Sequence, residues 1–269
     1  MIQIEKYPSF LSPSALNMAE KSPNKFYINR LSGINIIKEE QTLAAAIGSA
    51  FDYLIKERIT KDKNLYKKVP LLENMKKSVE TNHVQAWEIG ETIYKNYVSE
   101  VYDPVLFEDI EITENFQLDL SFVGIKYSIP LYIKMDANKK LNYFKQPIAH
   151  DWKVSGYTSE SGISPKPGFK RIWDNGRLKS CHDKFNNNLS IEDVDLQWGT
   201  QLCTYGWKLH GIGEIFPVSV DMLCFNDRND MRIAQYEAWV PLEFQQRVAC
   251  RYALLWSSIL DGSFVNKLV

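Results

Sequence analysis

Between residue 107 and about residue 153, apolar and polar positions alternate. "FEDIEIT", "FQLDLSFV", "YSIPLYIKMDAN" and "PIAHDWKVSG" keep a period of two and predict the strands of a sheet. On either side of this region the period lengthens. "TLAAAIGSAFDYLIKERI" repeats Leu43, Ala46, Ile47, Ala50, Phe51, Leu54 and Ile55 at three and four residues, so a helix is expected from Thr42, with Gly48 marking close packing. Further upstream, Ser12 caps a helix that has Pro13 in its first turn, and Pro23 opens a short second one. Residues 61–100 read as a polar, solvated helical insertion.

Downstream, a helix of about four turns is expected from the Ser-x-x-Asp cap at Ser190 to Gly211. "EIFPVSVDMLCF" and "MRIAQYEAWV" flank the turn "NDRND" as an antiparallel hairpin. The final segment, Pro241 to Asp261, carries Phe244, Val248, Tyr252, Leu255, Trp256 and Ile259 on one helical face. No repeat or low-complexity linker interrupts the chain, which reads as one unit over 1–269: a helical part at about 12–100, then a sheet with helices at about 105–269.

Composition changes this picture little. With 269 residues, 45% hydrophobic and 24% charged, the chain is of ordinary globular type. Its formal charge of −1 gives no global attraction for polyanions, so any such site must be local. One local excess exists, "SPKPGFKRIWDNGRLK", with Lys166, Lys170, Arg171, Arg177 and Lys179 against Asp174. No basic region followed by an apolar run opens the chain and no stretch is long enough to span a bilayer, so a cytoplasmic protein without membrane contact is expected. The four cysteines lack zinc-ligand spacing and read as reduced, mostly buried thiols.

Candidate chemistry sits in "AHDWKVSG". Strand alternation projects Asp151 and Lys153 from one face and His150 and Trp152 from the other, where His150 reads as core. Asp136 ends the preceding strand, and an antiparallel return brings it near Asp151. Two carboxylates beside a lysine suit phosphodiester hydrolysis, because hard oxygens hold Mg²⁺ or Mn²⁺ and the ammonium faces developing charge. Taken alone, an Asp-x-Lys pair is common, and most instances are exposed ion pairs.

The order of segments resembles the RecB-type branch of the PD-(D/E)XK nuclease superfamily, related to CRISPR-associated exonucleases. "SPSALNMAEKSPNKFY" is similar to the family's opening helix, with Ser22 where relatives have a cysteine. "IGSAFD" is similar to a Gly-x-x-x-His motif, with Asp52 at the histidine ligand's place. "KMDA", "HDWK" and "QLCTY" match the remaining stations. The resemblance implies an α/β, restriction-endonuclease-like mixed central sheet flanked by helices, with a helical N-terminal insertion. It implies Asp136 and Asp151 as ligands of Mg²⁺ or Mn²⁺, joined by the Trp152 backbone carbonyl and by Asp52, with Lys153 as catalytic lysine. Gln201 and Tyr205, one helical turn apart, would contact DNA, helped by Lys166, Lys170 and Arg171 on phosphates.

Some relatives carry an iron–sulfur cluster; Ser22 and the absence of cysteine from the last 18 residues imply none here. The implied activity is a metal-dependent deoxyribonuclease, an exonuclease acting on single-stranded or duplex DNA ends in recombination, repair or phage DNA metabolism, where a protein partner delivers substrate. The alternatives are an inactive nuclease fold that binds DNA or protein, and a structure-specific endonuclease. Glu111 reads either as an exposed strand residue or as a further acid at the site's edge. Trp198 and Trp207 read as core, whereas Phe169 and Trp173 either stack on a strand of nucleic acid or anchor their loop.

Overall fold

The computed structural model describes residues 3–34, 40–65, 71–81, 83–140, 146–156, 170–171, 173–174, 177–178, 196–225 and 231–268. The fold is mixed α/β. Five long strands, β1 (Phe107–Asp119), β2 (Ser128–Lys139), β3 (Ile148–Gly156), β7 (Phe216–Phe225) and β8 (Met231–Val240), lie in the order β1-β2-β3-β7-β8. The two-residue β4 (Lys170–Arg171) closes the β8 edge, and β5 (Trp173–Asp174) pairs with β6 (Arg177–Leu178). All neighbours are antiparallel except β3 and β7, which run parallel from Ala149↔Val218 to Gly156↔Phe225. The hairpin expected at the "NDRND" turn is β7–β8, in register from Phe216↔Val240 to Phe225↔Met231.

Local chemistry explains most element ends. Ser12 caps α1 (Pro13–Lys21) by accepting from the Ala15 amide at 3.2 Å, and α2 (Pro23–Phe26) follows from its proline into a π-helical turn, Tyr27–Leu31. The Thr42 hydroxyl caps α3 (Leu43–Asp62) in the same way. After α4 (Leu72–Glu80) and α5 (Ala86–Glu100), α6 (Leu196–His210) ends before Gly211, whose φ of +84° stops a helix at no steric cost. The Ser190 cap expected for α6 lies outside the described residues. The last helix, α7 (Leu242–Leu260), buries Phe244, Val248, Tyr252, Leu255 and Ile259 as its spacing requires, with Trp256 only partly covered.

Two apolar clusters cover the sheet. One joins α1, α6 and α7 to Leu131, Ile133, Met135, Val218 and Val220. The other joins α3 and α5 to Ile110, Ala137, Trp152 and Leu223. Its membership corrects the expected solvated insertion: α5 buries Trp87, Ile93 and Tyr97, and Gly90 lets it approach so closely that an added Cβ would stand 2.6 Å from the Ala50 Cβ. Leu43, expected to be apolar-facing, is exposed. Gly48 is not the site of close packing, since a Cβ there would meet Val154 at an ordinary 3.7 Å.

The tight glycine on the opposite layer is Gly206, where a Cβ would fall 1.9 Å from the ring of the fully buried Phe216. A Gly206→Ala variant should therefore lose about 3 kcal/mol, overpacking outweighing the helix propensity that alanine adds, as read from urea unfolding. Among the described cysteines Cys203 is buried and Cys250 exposed. No helix among the described residues is long and apolar enough to cross a membrane.

Candidate active site

The site forms where β2 and β3 part. Their ladder is short, Ala137↔His150, Asn138↔Ala149 and Lys139↔Ile148, and Asp136 and Asp151 are the next residues beyond it. Asp136 therefore does not end its strand, which continues three residues to Lys139. Where β3 departs, the N-terminal segment takes its place along β2: Leu11 bridges Leu131, donating to the Pro130 carbonyl at 2.9 Å and accepting from Tyr132 at 2.8 Å. This wedge helps open a cavity of about 600 Å³ lined by Phe10, Ser12, Arg30, Tyr132, Lys134, Lys153, Trp198, Gln201 and Tyr205. A smaller hollow of about 230 Å³ lies beside it, lined by Gly48, Asp52, Asp136, Trp152 and Val154.

The Asp136 and Asp151 carboxyl groups lie close enough to perturb each other, and each also faces a lysine, Lys56 beside Asp136 and Lys153 beside Asp151. Burial and the neighbouring Asp136 push Asp151 well above the usual carboxylate range, against the pull of Lys153. Asp136 is held well below that range: burial works against it, but the Asp151 hydrogen bond and Lys56 prevail. Asp151 is only 2% exposed, and its Oδ2 forms an ion pair with Lys153 but has no well-directed hydrogen bond.

Lys153 reaches into a relay that includes both residues of the Gln-x-x-x-Tyr pair. Its Nζ donates to Gln201 Oε1 at 2.9 Å, Gln201 Nε2 donates to the Tyr205 hydroxyl at 2.7 Å, and that hydroxyl donates to the Lys134 carbonyl of β2 at 2.6 Å. The helical i, i+4 spacing lets α6 brace the lysine from one side. Burial, with Asp151 nearby, raises the Tyr205 pKa and keeps its proton available for the Lys134 carbonyl. Five of the expected residues, Asp136, Asp151, Lys153, Gln201 and Tyr205, therefore come together.

Asp52 is near but occupied. Lys56, one turn further along α3, donates to Asp52 Oδ2 at 2.7 Å and to Asp136 Oδ1 at 2.9 Å, with Glu111 Oε1 at 3.6 Å. Burial and the nearby Asp136 push Asp52 up to about 6. Lys56 itself, 4% exposed, is held above the usual lysine range: burial opposes its charge, but Asp136 and Asp52 overcome it. Sequence reasoning missed Lys56 as a site residue; its one signal was the i, i+4 spacing from Asp52. Glu111 sits between Ile110 and Ile112, whose partners Ala137 and Met135 flank Asp136, and its φ of +49° is unusual for a non-glycine residue. Its partly exposed side chain is in ion-pair range of Lys56 and Lys134.

His150 is a core residue as expected, and Trp152 is buried too, at the edge of the hollow that Asp52 and Asp136 line. The Trp152 indole donates to the Tyr97 hydroxyl at 3.2 Å, and Tyr97 donates to Asp221 at 2.5 Å. Trp207 is also core, whereas Trp198 is half-buried at the cavity. Lys170 and Arg171 lie on β4, paired with Glu237 and Tyr236 of β8. Lys166 and Phe169 fall outside the described residues.

The donors suit a hard divalent cation: two carboxylates converge, and a buried oxygen of one of them, Asp151 Oδ2, lacks a directed hydrogen bond. Among the described residues, no three acidic, imidazole or thiol groups stand together ready to hold a metal. Lys56 separates Asp52 from the pair.

The chain aligns structurally with a crystal structure of an Eubacterium rectale protein provisionally assigned as an exonuclease, at a TM-score of 0.48 and 16% identity, covering 97% of this chain and 82% of that one. No protein-family model matches the chain, and no curated protein matches it.

Proposed function

We propose that the chain is a metal-dependent deoxyribonuclease of the RecB-type PD-(D/E)XK kind, an exonuclease of DNA recombination, repair or phage DNA metabolism. The observation that carries this reading is the meeting of Asp136, Asp151 and Lys153, with Lys153 lining the larger cavity and braced by Gln201, and Asp136 lining the smaller hollow. Asp136 and Asp151 would hold Mg²⁺ or Mn²⁺, with the Trp152 carbonyl on the strand beside them. When bound, such an ion supplies Lewis-acid activation of water and offsets charge on the phosphate.

The chain's own groups do the rest. Lys153 presents a fixed ammonium to the charge that develops on the phosphoryl oxygens; its position is set before substrate arrives, because Gln201, Tyr205 and the Lys134 carbonyl hold it from behind. Arg30 and Lys134 line the cavity as further cations for a DNA backbone, and Lys166, Lys170 and Arg171 of the basic segment would add phosphate contacts.

The ion pairs of Lys56 with Asp52 and Asp136 favour a second reading, an inactive nuclease fold that binds DNA, since they neutralise acids that a metal would otherwise claim. Incubating the protein with Mn²⁺ and linear DNA, circular DNA or RNA separates the two. Release of nucleotides from linear DNA alone is expected. Cutting of circles would make the enzyme an endonuclease, and DNA binding without any cleavage would sink the enzyme reading.

A further inference from the structure

Two-metal nuclease sites place their ions about 3.5–4 Å apart, as a clamp on the attacking and leaving oxygens. Asp136 is the carboxylate that faces both Asp151 and Lys56, and one of its oxygens is taken. Lys56 Nζ sits 2.9 Å from Asp136 Oδ1, 2.7 Å from Asp52 Oδ2 and 3.6 Å from Glu111 Oε1, at 4% exposure. We infer that this site takes a single divalent ion, on the Asp151 side of Asp136, and that Lys56 is a built-in cation standing where a second ion would bind. On this assignment Asp52 and Glu111 serve Lys56 rather than a metal. The inference rests on the nuclease reading and sharpens it.

Charge supports the count. Asp52, Glu111, Asp136 and Asp151 face Lys56, Lys134 and Lys153, so the cluster fully ionised carries one net negative charge. A single divalent ion turns this to plus one, which one phosphodiester cancels. A second ion would leave two uncompensated positive charges in a partly buried site, a costly arrangement at low effective dielectric. Coordination poses no obstacle, because Mg²⁺ is commonly held by one or two carboxylates with waters and substrate phosphate completing its shell.

Lys56 is also well anchored. It lies on a 20-residue helix whose adjacent positions Phe51, Ile55 and Ile59 are fully buried, so only its side chain can move away. Glu111 reaches it from a backbone in the left-handed region, a conformation that surrounding structure must hold in place.

Mn²⁺ binding to the full-length chain tests this, by titration calorimetry for the count and electron paramagnetic resonance for spin coupling between ions. The wild type is expected to bind one Mn²⁺ per chain with no spin-coupled pair, and Asp151→Asn to lose it. Asp52→Asn should keep the count at one with affinity changed less than about threefold, and Lys56→Met should raise the count to two by freeing Asp52 and Asp136. Two ions in the wild type, or a loss of affinity beyond about tenfold in Asp52→Asn, overturns the inference while leaving the nuclease reading intact. No binding, or binding indifferent to Asp151→Asn, overturns both. If Lys56→Met does not fold, the wild-type count and the Asp52→Asn affinity decide between these outcomes.

Discussion

Asp151→Asn is expected to lower Mn²⁺-dependent DNA cleavage by about 10³-fold, since it removes a ligand charge from the place where negative charge must be offset in the transition state. The same substitution should leave the fold intact. Asparagine is isosteric with aspartate, and losing the acid relieves its opposition to Asp136. Thermal melting without metal should show a midpoint equal to or above that of the wild type, while nucleotide release falls. An unchanged cleavage rate would remove Asp151 from the mechanism. A large drop in melting temperature would mean that its role is structural.

The second large effect concerns the reverse face of the sheet. Asp221, 1% exposed, accepts from Tyr97 at 2.5 Å, from Lys139 at 2.9 Å and from Gln235 at 2.9 Å, with His150 Nε2 at 3.4 Å. Asp221→Ala would strand the buried Lys139 ammonium and leave the Tyr97 hydroxyl without its acceptor. Breaking a buried pair in this way costs about 3–5 kcal/mol, to be read as a shift of the urea midpoint at unchanged slope.

The loss should shrink at alkaline pH. Burial already lowers the Lys139 pKa, so without its partner the folded chain sheds that proton before the unfolded chain does. Stability of the variant then rises with pH through that window, because the unfolded state binds more protons there. A midpoint shift worth less than about 1 kcal/mol would show that the network contributes little.

Much of this site was legible because it depends on short periods. The strand period puts Asp151 and Lys153 on one face, an antiparallel return brings Asp136 opposite, and i, i+4 spacing joins Gln201 to Tyr205. Lys56 was not legible, because its meaning comes from Asp136, 80 positions away in the chain. Read locally, it is one more polar residue of an amphipathic helix. Asp221 and Lys139 escaped for the same reason: each looks like the polar half of a strand alternation until five elements close around it. The misreading of residues 61–100 was avoidable, since Trp87, Gly90, Ile93 and Tyr97 repeat at three and four residues and show that α5 has a buried face. The Gly48 reading failed differently, because it marks the hollow beside Asp52 instead of a packing contact.

The central claim is that Asp136 and Asp151 form a divalent-metal site beside Lys153, and the anomalous difference density of a crystal grown with Mn²⁺ tests it most directly. A single peak is predicted within about 2.2 Å of a carboxylate oxygen of each aspartate, with Lys56 still bridging Asp52 and Asp136. Absence of a peak at saturating Mn²⁺, or a peak bound by Asp52 without Asp151, would contradict it.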